Sequence, residues 1–103
     1  MRHEVAHGLD PPLARRVAEH AFASYAARYG MFRPELRWIG EYRALAAFHA
    51  MGITVHGTVE IEPRAIAFEL EVPWLLRLFE PRAIAVVERE VRRWEQAALR
   101  GEI

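Results

Sequence analysis

The chain has 103 residues, fourteen basic and fourteen acidic side chains, a hydrophobic content of 52% and no cysteine. This length suits a single domain spanning residues 1–103, and the composition is not that of a disordered chain. Zero net charge argues against a nucleic-acid binder, and the lack of cysteine excludes disulfides, zinc–thiolate sites and thiol catalysis. No apolar run approaches the roughly 18 residues of a membrane span, and the first residues do not open a signal peptide. We therefore expect a cytoplasmic protein.

Two long helices are predicted, one in each half of the chain. The first begins at Asp10, whose carboxylate is expected to cap the free amides of the first turn, and ends at Gly30. The second runs from about Pro81 to Arg100, where apolar residues recur at spacings of three and four. That apolar stripe consists of Ile84, Val87, Val91, Trp94 and Ala98.

Between the helices the apolar period changes to two, which is typical of half-buried antiparallel strands. Three segments alternate in this way: 42–50, 53–62 and 65–72. Leu36–Ile39 and His3–Ala6 are expected to add one or two more strands. We predict an α+β fold, an antiparallel β-meander of four to five strands with two long helices packed on one face. The element order is strand, helix, strands, helix.

The turns between these strands allow a test of their register. Two-residue turns at 51–52 and 63–64 would set Phe48 opposite Val55, and Val59 opposite Phe68. Both pairings place the apolar residues of all three strands on one face, as a shared core requires, and a one-residue slip would destroy the agreement.

Residue spacing gives little support for catalysis or metal binding. The five histidines show no familiar ligand spacing, although the register would bring His56 near Glu71. An acid–base site at His49, His56, Glu69 and Glu71 would require these side chains to converge in a pocket. Ser24, the only serine, lies in the middle of a helix. We expect no catalytic residue, no metal and no cofactor.

A cluster of large apolar residues occupies the connection between the last strand and the last helix. It consists of Trp74, Leu75, Leu76, Leu78 and Phe79. A surface loop is rarely so apolar. The segment either folds as a short turn that caps one end of the core, or is an exposed element that docks on a partner or a hydrophobic surface.

A second apolar set falls on the sheet face that should be solvated. Leu45, Ala47 and Met51 share this parity, joined by Leu36 and Trp38 if their strand pairs as expected. A polar face with an apolar end suggests burial by a second copy of the chain. Trp38, Leu45, Ala47 and Met51 are therefore the predicted self-association face of a homo-oligomer, most simply a dimer.

Several short motifs together point to a family. They are His7-Gly8-Leu9, Ala14-Arg15, Tyr25–Gly30, Trp38, Phe48 with Gly52 and Gly57, and Leu70–Pro73 with Leu75-Leu76. From about Val5 to Trp94 the chain resembles the polyhydroxyalkanoic acid system family, small bacterial proteins associated with polyester storage granules. That family carries no established catalytic residues, so the resemblance implies none. It implies a granule-associated or regulatory role, by contact with other proteins or with a polyester surface.

Two functions follow from these observations. The first is a non-enzymatic binding or regulatory protein that acts through protein–protein or hydrophobic-surface contact, as a homo-oligomer. The alternative is a carrier for a small apolar ligand of the acyl type. Its cavity would lie between sheet and helices, where Ala44, Ala46 and Gly57 leave room on the inner face.

Overall fold

The computed structural model describes every residue from Met1 to Ile103. It contains five strands, two long helices and two 3₁₀ helices. In chain order these are β1 (Arg2–Ala6), α1 (Pro11–Arg28), a 3₁₀ helix (Gly30–Phe32), β2 (Glu35–Trp38), β3 (Arg43–Ala50), β4 (Ile53–Ile61), β5 (Ala65–Glu71), a second 3₁₀ helix (Trp74–Phe79) and α2 (Glu80–Leu99).

The strands form one antiparallel sheet in the order β1-β5-β4-β3-β2. Phe48 lies opposite Val55, and Val59 lies opposite Phe68, as the turn lengths predicted. β1 pairs with β5 and forms one edge, while the short β2 forms the other. The predicted α+β fold and its element order are confirmed.

Both helices pack on one face of the sheet, which we call the inner face, and they run antiparallel to each other. Arg28 of α1 lies 3.5 Å from Glu90 of α2, and the His20 ring stacks on Trp94 with 4.8 Å between centroids. The core lies between this helix pair and the sheet. Its buried residues are Val5, Leu9, Ala14, Val17, Ala18, Ala21, Ala44, Val59, Ile61, Ile66, Val91 and Ala98.

The ends of α1 differ from the prediction. Asp10 occupies the N-cap position with an extended backbone, but its carboxylate bonds no first-turn amide. The helix stops before Gly30, which opens the first 3₁₀ helix, and the left-handed conformation occurs at Arg33 instead (φ 46°). At the end of α2, Gly101 is left-handed as a helix-terminating glycine should be (φ 74°).

A buried histidine ties the start of the fold to the β4–β5 turn. The Nδ1 atom of His7 accepts the N–H of Leu9 at 3.1 Å, so the ring proton sits on Nε2. That Nε2–H donates to the carbonyl oxygen of Glu62 at 2.9 Å. The imidazole thus links the β1–α1 connection to the far end of β4.

The core is not equally covered at its two ends. Near the Pro63–Arg64 turn, the inner-face residues Ala44, Val59, Ile61 and Ile66 are buried. Near the Met51–Gly52 turn Val55 is buried, but Phe48, Ala50, Ile53 and Leu70 are only half-buried. α1 ends at the level of Glu90, where the 3₁₀ helix Gly30–Phe32 follows against β3, and the first half of α2 continues beyond that level. One end of the inner face is therefore left partly open.

Candidate docking and self-association surfaces

The segment Trp74–Phe79, here called the apolar turn, exposes most of its large side chains. Trp74 is 75% exposed and Leu78 is 88% exposed, and Leu75 and Phe79 are also exposed. Leu76 is the exception, with 6% of its surface accessible. The segment is thus neither wholly packed nor wholly exposed, since Leu76 is buried where the turn meets α2 and the other four side chains face solvent.

The neighbouring elements explain why the apolar turn stands at this position. β5 leaves the sheet after Glu71, which lies opposite His56, so the first residues of β4 have no partner on that side. Pro73 is extended and its carbonyl accepts the N–H of Leu76 at 2.9 Å, which starts the 3₁₀ helix. The turn packs against α2, whose first residue follows directly.

The β3–β4 turn adds one more apolar side chain at the same end of the sheet. Met51 (φ 54°) and Gly52 (φ 75°) both have positive φ, which is the backbone of a type I′ hairpin turn. Met51 is 77% exposed. We call this set, Met51 with Trp74, Leu75, Leu78 and Phe79, the apolar end. Exposed apolar side chains gathered at one end of a small domain are typical of an interaction surface.

On the outer face of the sheet the structure separates the residues predicted to self-associate. Leu45, which is 37% exposed, and Ala47 lie on this face in β3. The placement of Trp38 and Leu36 on that face was wrong. Trp38 pairs with Ala44 and Leu36 with Ala46, so both lie on the inner face and pack against the core. Met51 belongs to the apolar end.

Trp38 is held at the inner edge of the sheet by α1. The guanidinium of Arg15 lies 4.1 Å from the centre of its indole ring and donates to the carbonyl of Glu41 at 2.8 Å. The alternation of Glu35 and Arg37 with Leu36 and Trp38 was the signal for this placement, because charged residues on one parity mark the solvent side.

The polar residues of the outer face are spread over an open surface. His56 lies opposite Glu71, and both line a shallow depression together with Glu69. His49 lies elsewhere, with its Nδ1 2.9 Å from the hydroxyl of Thr54. Three of the four side chains named for an acid–base site thus share this open depression, and His49 lies outside it. Nowhere do three or more His, Asp or Glu side chains gather in a way that could hold a metal ion.

An acidic pair on this face changes stability with pH. A side-chain hydrogen bond to Glu4, the burial of Glu62 itself and the negative charge of Glu4 raise the pKa of Glu62 above its ordinary value. The positive charge of Arg2 lowers it by a smaller amount. A raised pKa in the folded state means that the protonated form is favoured by folding. The contribution of Glu62 to the free energy of unfolding is therefore complete at low pH, and it is lost as the pH rises through the raised pKa.

We therefore expect Glu62→Gln to be more stable than the parent chain at neutral pH and equal to it below about pH 4, where carboxyls are protonated. Urea unfolding followed by circular dichroism across this range measures the difference. Glu102, whose pKa is lowered by Arg100, provides the opposite control. Glu102→Gln should lose stability at neutral pH, and a Glu62→Gln curve parallel to the parent curve would contradict the prediction.

The inner face has no room for a ligand beside Gly57, where its small side chains had predicted a cavity. The side chain of Leu70 fills the space above Gly57, against which a Cβ atom at that glycine would collide. The expected room at Gly57 for an acyl-type ligand is thus taken by β5. The two surface depressions that flank Leu45 both lie toward the outer face.

Comparison with known proteins agrees with the resemblance in the motifs. A family model described as "Putative polyhydroxyalkanoic acid system protein" matches residues 2–94. No curated protein and no solved structure shows significant similarity to the chain. Neither long helix carries an apolar stretch long enough to cross a bilayer. Because the match covers most of the chain, this protein belongs to the polyhydroxyalkanoic acid system protein family.

Proposed function

We propose that this protein is a non-enzymatic binding protein of the polyester granule system, located in the cytoplasm. Its apolar end docks on a hydrophobic polyester surface, and its outer sheet face holds two copies of the chain together. The family supports the granule context, and the exposed side chains support the mode of contact.

The observation that carries the docking role is the exposure of Trp74 and Leu78 on a turn anchored by Leu76. Full burial of a large apolar side chain contributes about 1.5–3 kcal/mol, so several of them at one end give appreciable affinity for an apolar surface. Anchoring by the buried Leu76 holds these side chains in place before contact, which lowers the entropy lost on docking.

The charge of the chain supports a hydrophobic rather than an electrostatic contact. Fourteen basic residues are balanced by fourteen acidic ones, and Arg77 of the apolar turn is followed by Glu80 at the start of α2. A contact driven by apolar burial should hold when salt screens charges. We expect binding to be unchanged between about 0.05 and about 0.5 M salt.

Sedimentation with polyhydroxyalkanoate particles tests the docking role. The parent chain is expected to sediment with amorphous polyester particles and to stay in solution with bare silica. Trp74→Ser combined with Leu78→Ser should weaken particle binding by at least ~10-fold, because two apolar side chains are removed from the contact. Leu99→Ser is the matched control, since Leu99 is 62% exposed near the other end of α2.

Four results would contradict this function. The first is a parent chain that ignores polyester particles. The second is a double variant that binds as well as the parent, and the third is a Leu99→Ser variant that loses as much affinity as the double variant. Binding to a granule protein but not to bare polyester would replace the surface by a protein partner and would also overturn the proposal.

A further inference from the structure

The outer face of the sheet carries a row of side chains that is complementary to itself. The register places Arg37 beside Leu45, Leu45 beside Thr58, and Thr58 beside Glu69, across β2, β3, β4 and β5. Read in this direction the four residues are basic, apolar, hydroxyl and acidic, and Arg2 of β1 follows Glu69 at the end of the row. A second copy running the opposite way would therefore place base against acid and the leucine against the threonine.

We propose that two copies of the chain pack outer face to outer face about a two-fold axis that runs between β3 and β4, parallel to the strands. This inference rests on the self-association proposed above and specifies its geometry. Such an axis sets β2 of one copy opposite β5 of the other, and β3 opposite β4. Isologous pairing of this kind uses each contact twice.

The charges on this face are arranged for such a partner. Arg37 and Arg43, in β2 and β3, make no ion pair within their own chain. Glu60, Glu69 and Glu71 lie in the other half of the sheet, where Glu60 is also unpaired and Glu69 has only Arg2 at 3.5 Å, while Glu35 lies in β2 beside the basic residues. The axis brings Arg37 to the Glu69 position and Arg43 to the Glu60 position of the second copy. Complementary charges of this kind fix the register of an interface.

The shape of the face agrees with the same axis. Leu45 projects between two shallow depressions, one of which surrounds Thr58 and is lined by His56, Gly57 and Glu69. The axis places Leu45 of one copy over Thr58 of the other, so each leucine enters the depression of its partner. Packed sheets stand about 10 Å apart, which leaves room for such interlocking side chains.

One row opposes this arrangement and therefore marks the edge of the contact. Glu35 and Glu71 end the row that contains Ala47 and His56, so the axis brings two acidic residues toward each other. Aligned sheets cross at about 30°, which separates rows that lie away from the axis. His49 also lies 3.9 Å from Glu35. These two acidic contacts are solvated, and they are outnumbered by four pairs of opposite charge, two between Arg43 and Glu60 next to the axis and two between Arg37 and Glu69 further out.

Sedimentation equilibrium of single charge reversals tests the axis. The parent chain should be a dimer, and Arg37→Glu alone or Glu69→Arg alone should raise the dissociation constant at least ~10-fold, because each creates two like-charge contacts. An equimolar mixture of the two variants should recover the dimer, since each interchain pair then joins a glutamate to an arginine. Within one chain β2 and β5 are three strand spacings apart, about 14 Å, so residues 37 and 69 can form an ion pair only between two chains.

Arg16→Glu, an exposed reversal on α1, is the matched control and should leave the mass of the dimer unchanged. Thermal melting by circular dichroism verifies that each variant is folded. A mixture that stays monomeric, or an Arg37→Glu variant that stays dimeric, would overturn this geometry while leaving self-association intact. A monomeric parent chain would overturn both. None of these outcomes affects the polyester assay, which reads the apolar end.

Discussion

Gly57→Ala is expected to lower the free energy of unfolding by about 1–3 kcal/mol, the usual cost of forcing an atom into packed space. An added Cβ atom would lie 2.6 Å from the carbonyl oxygen of Glu69 and would collide with a methyl group of Leu70. The leucine methyl is the end of a flexible side chain and can move. The carbonyl oxygen belongs to β5, so relief there requires a shift of the strand.

Chemical unfolding of two alanine variants measures this effect. Gly40→Ala is the matched control, because nothing lies within 4 Å of a Cβ atom at that position and its backbone is not left-handed. It should leave stability unchanged or slightly raised. Adding Leu70→Ala to Gly57→Ala removes the methyl contact only, so we expect no recovery. Equal stability of the Gly57→Ala and Gly40→Ala variants would contradict the close approach of β4 and β5.

Leu76→Ala is expected to cost about 2–5 kcal/mol, a large part of the stability of a domain this size. Leu76 is the buried side chain of the apolar turn, and its loss leaves a cavity where the turn meets α2. Leu78→Ala removes the same atoms two residues later from an 88% exposed position. That variant should stay within about 0.5 kcal/mol of the parent chain, as exposed substitutions usually do.

Variants of the two leucines distinguish the contribution of Leu76 to folding stability from the contribution of Leu78 to polyester binding. Unfolding in urea gives the stability difference, and the polyester assay gives the affinity. We expect Leu78→Ala to bind less tightly with unchanged stability, whereas Leu76→Ala loses stability first. Equal stability losses would show that Leu78 is covered in the folded chain, and the apolar end would lose one of its contacts.

The pairing of the three central strands was predictable from residues alone. A strand period of two and two-residue turns leave one register in which Phe48 meets Val55 on a shared core face. The presence of the two helices was equally predictable, because their apolar stripes span several turns. The exact ends of the first helix were harder to predict. The Asp10 side chain makes no capping hydrogen bond, and Gly30 begins a 3₁₀ helix and does not end α1.

The side of the sheet toward which β2 directs its apolar residues was predicted wrongly. A connection of several residues separates Trp38 from Arg43, and turn length fixes register only in tight hairpins. Trp38 was expected on the outer face for this reason, although it packs at the inner edge beneath Arg15. The alternation of charged and apolar residues in β2 indicates the observed placement, with the apolar residues on the inner face. The β2 residue that lies opposite Leu45 on the outer face is Arg37.

Sequence alone established the α+β class, the order of elements, the balanced charge and an excess of apolar residues over what the core needs. It also located that excess in the segment from Trp74 to Phe79. The division of this segment into a buried Leu76 and exposed neighbours was decided by tertiary structure. α1 ends at the level of Glu90 while α2 extends beyond it, and the relative positions of two helices appear only when they are packed together. The same holds for the outer face, where residues far apart in the chain form a row only after the strands have paired.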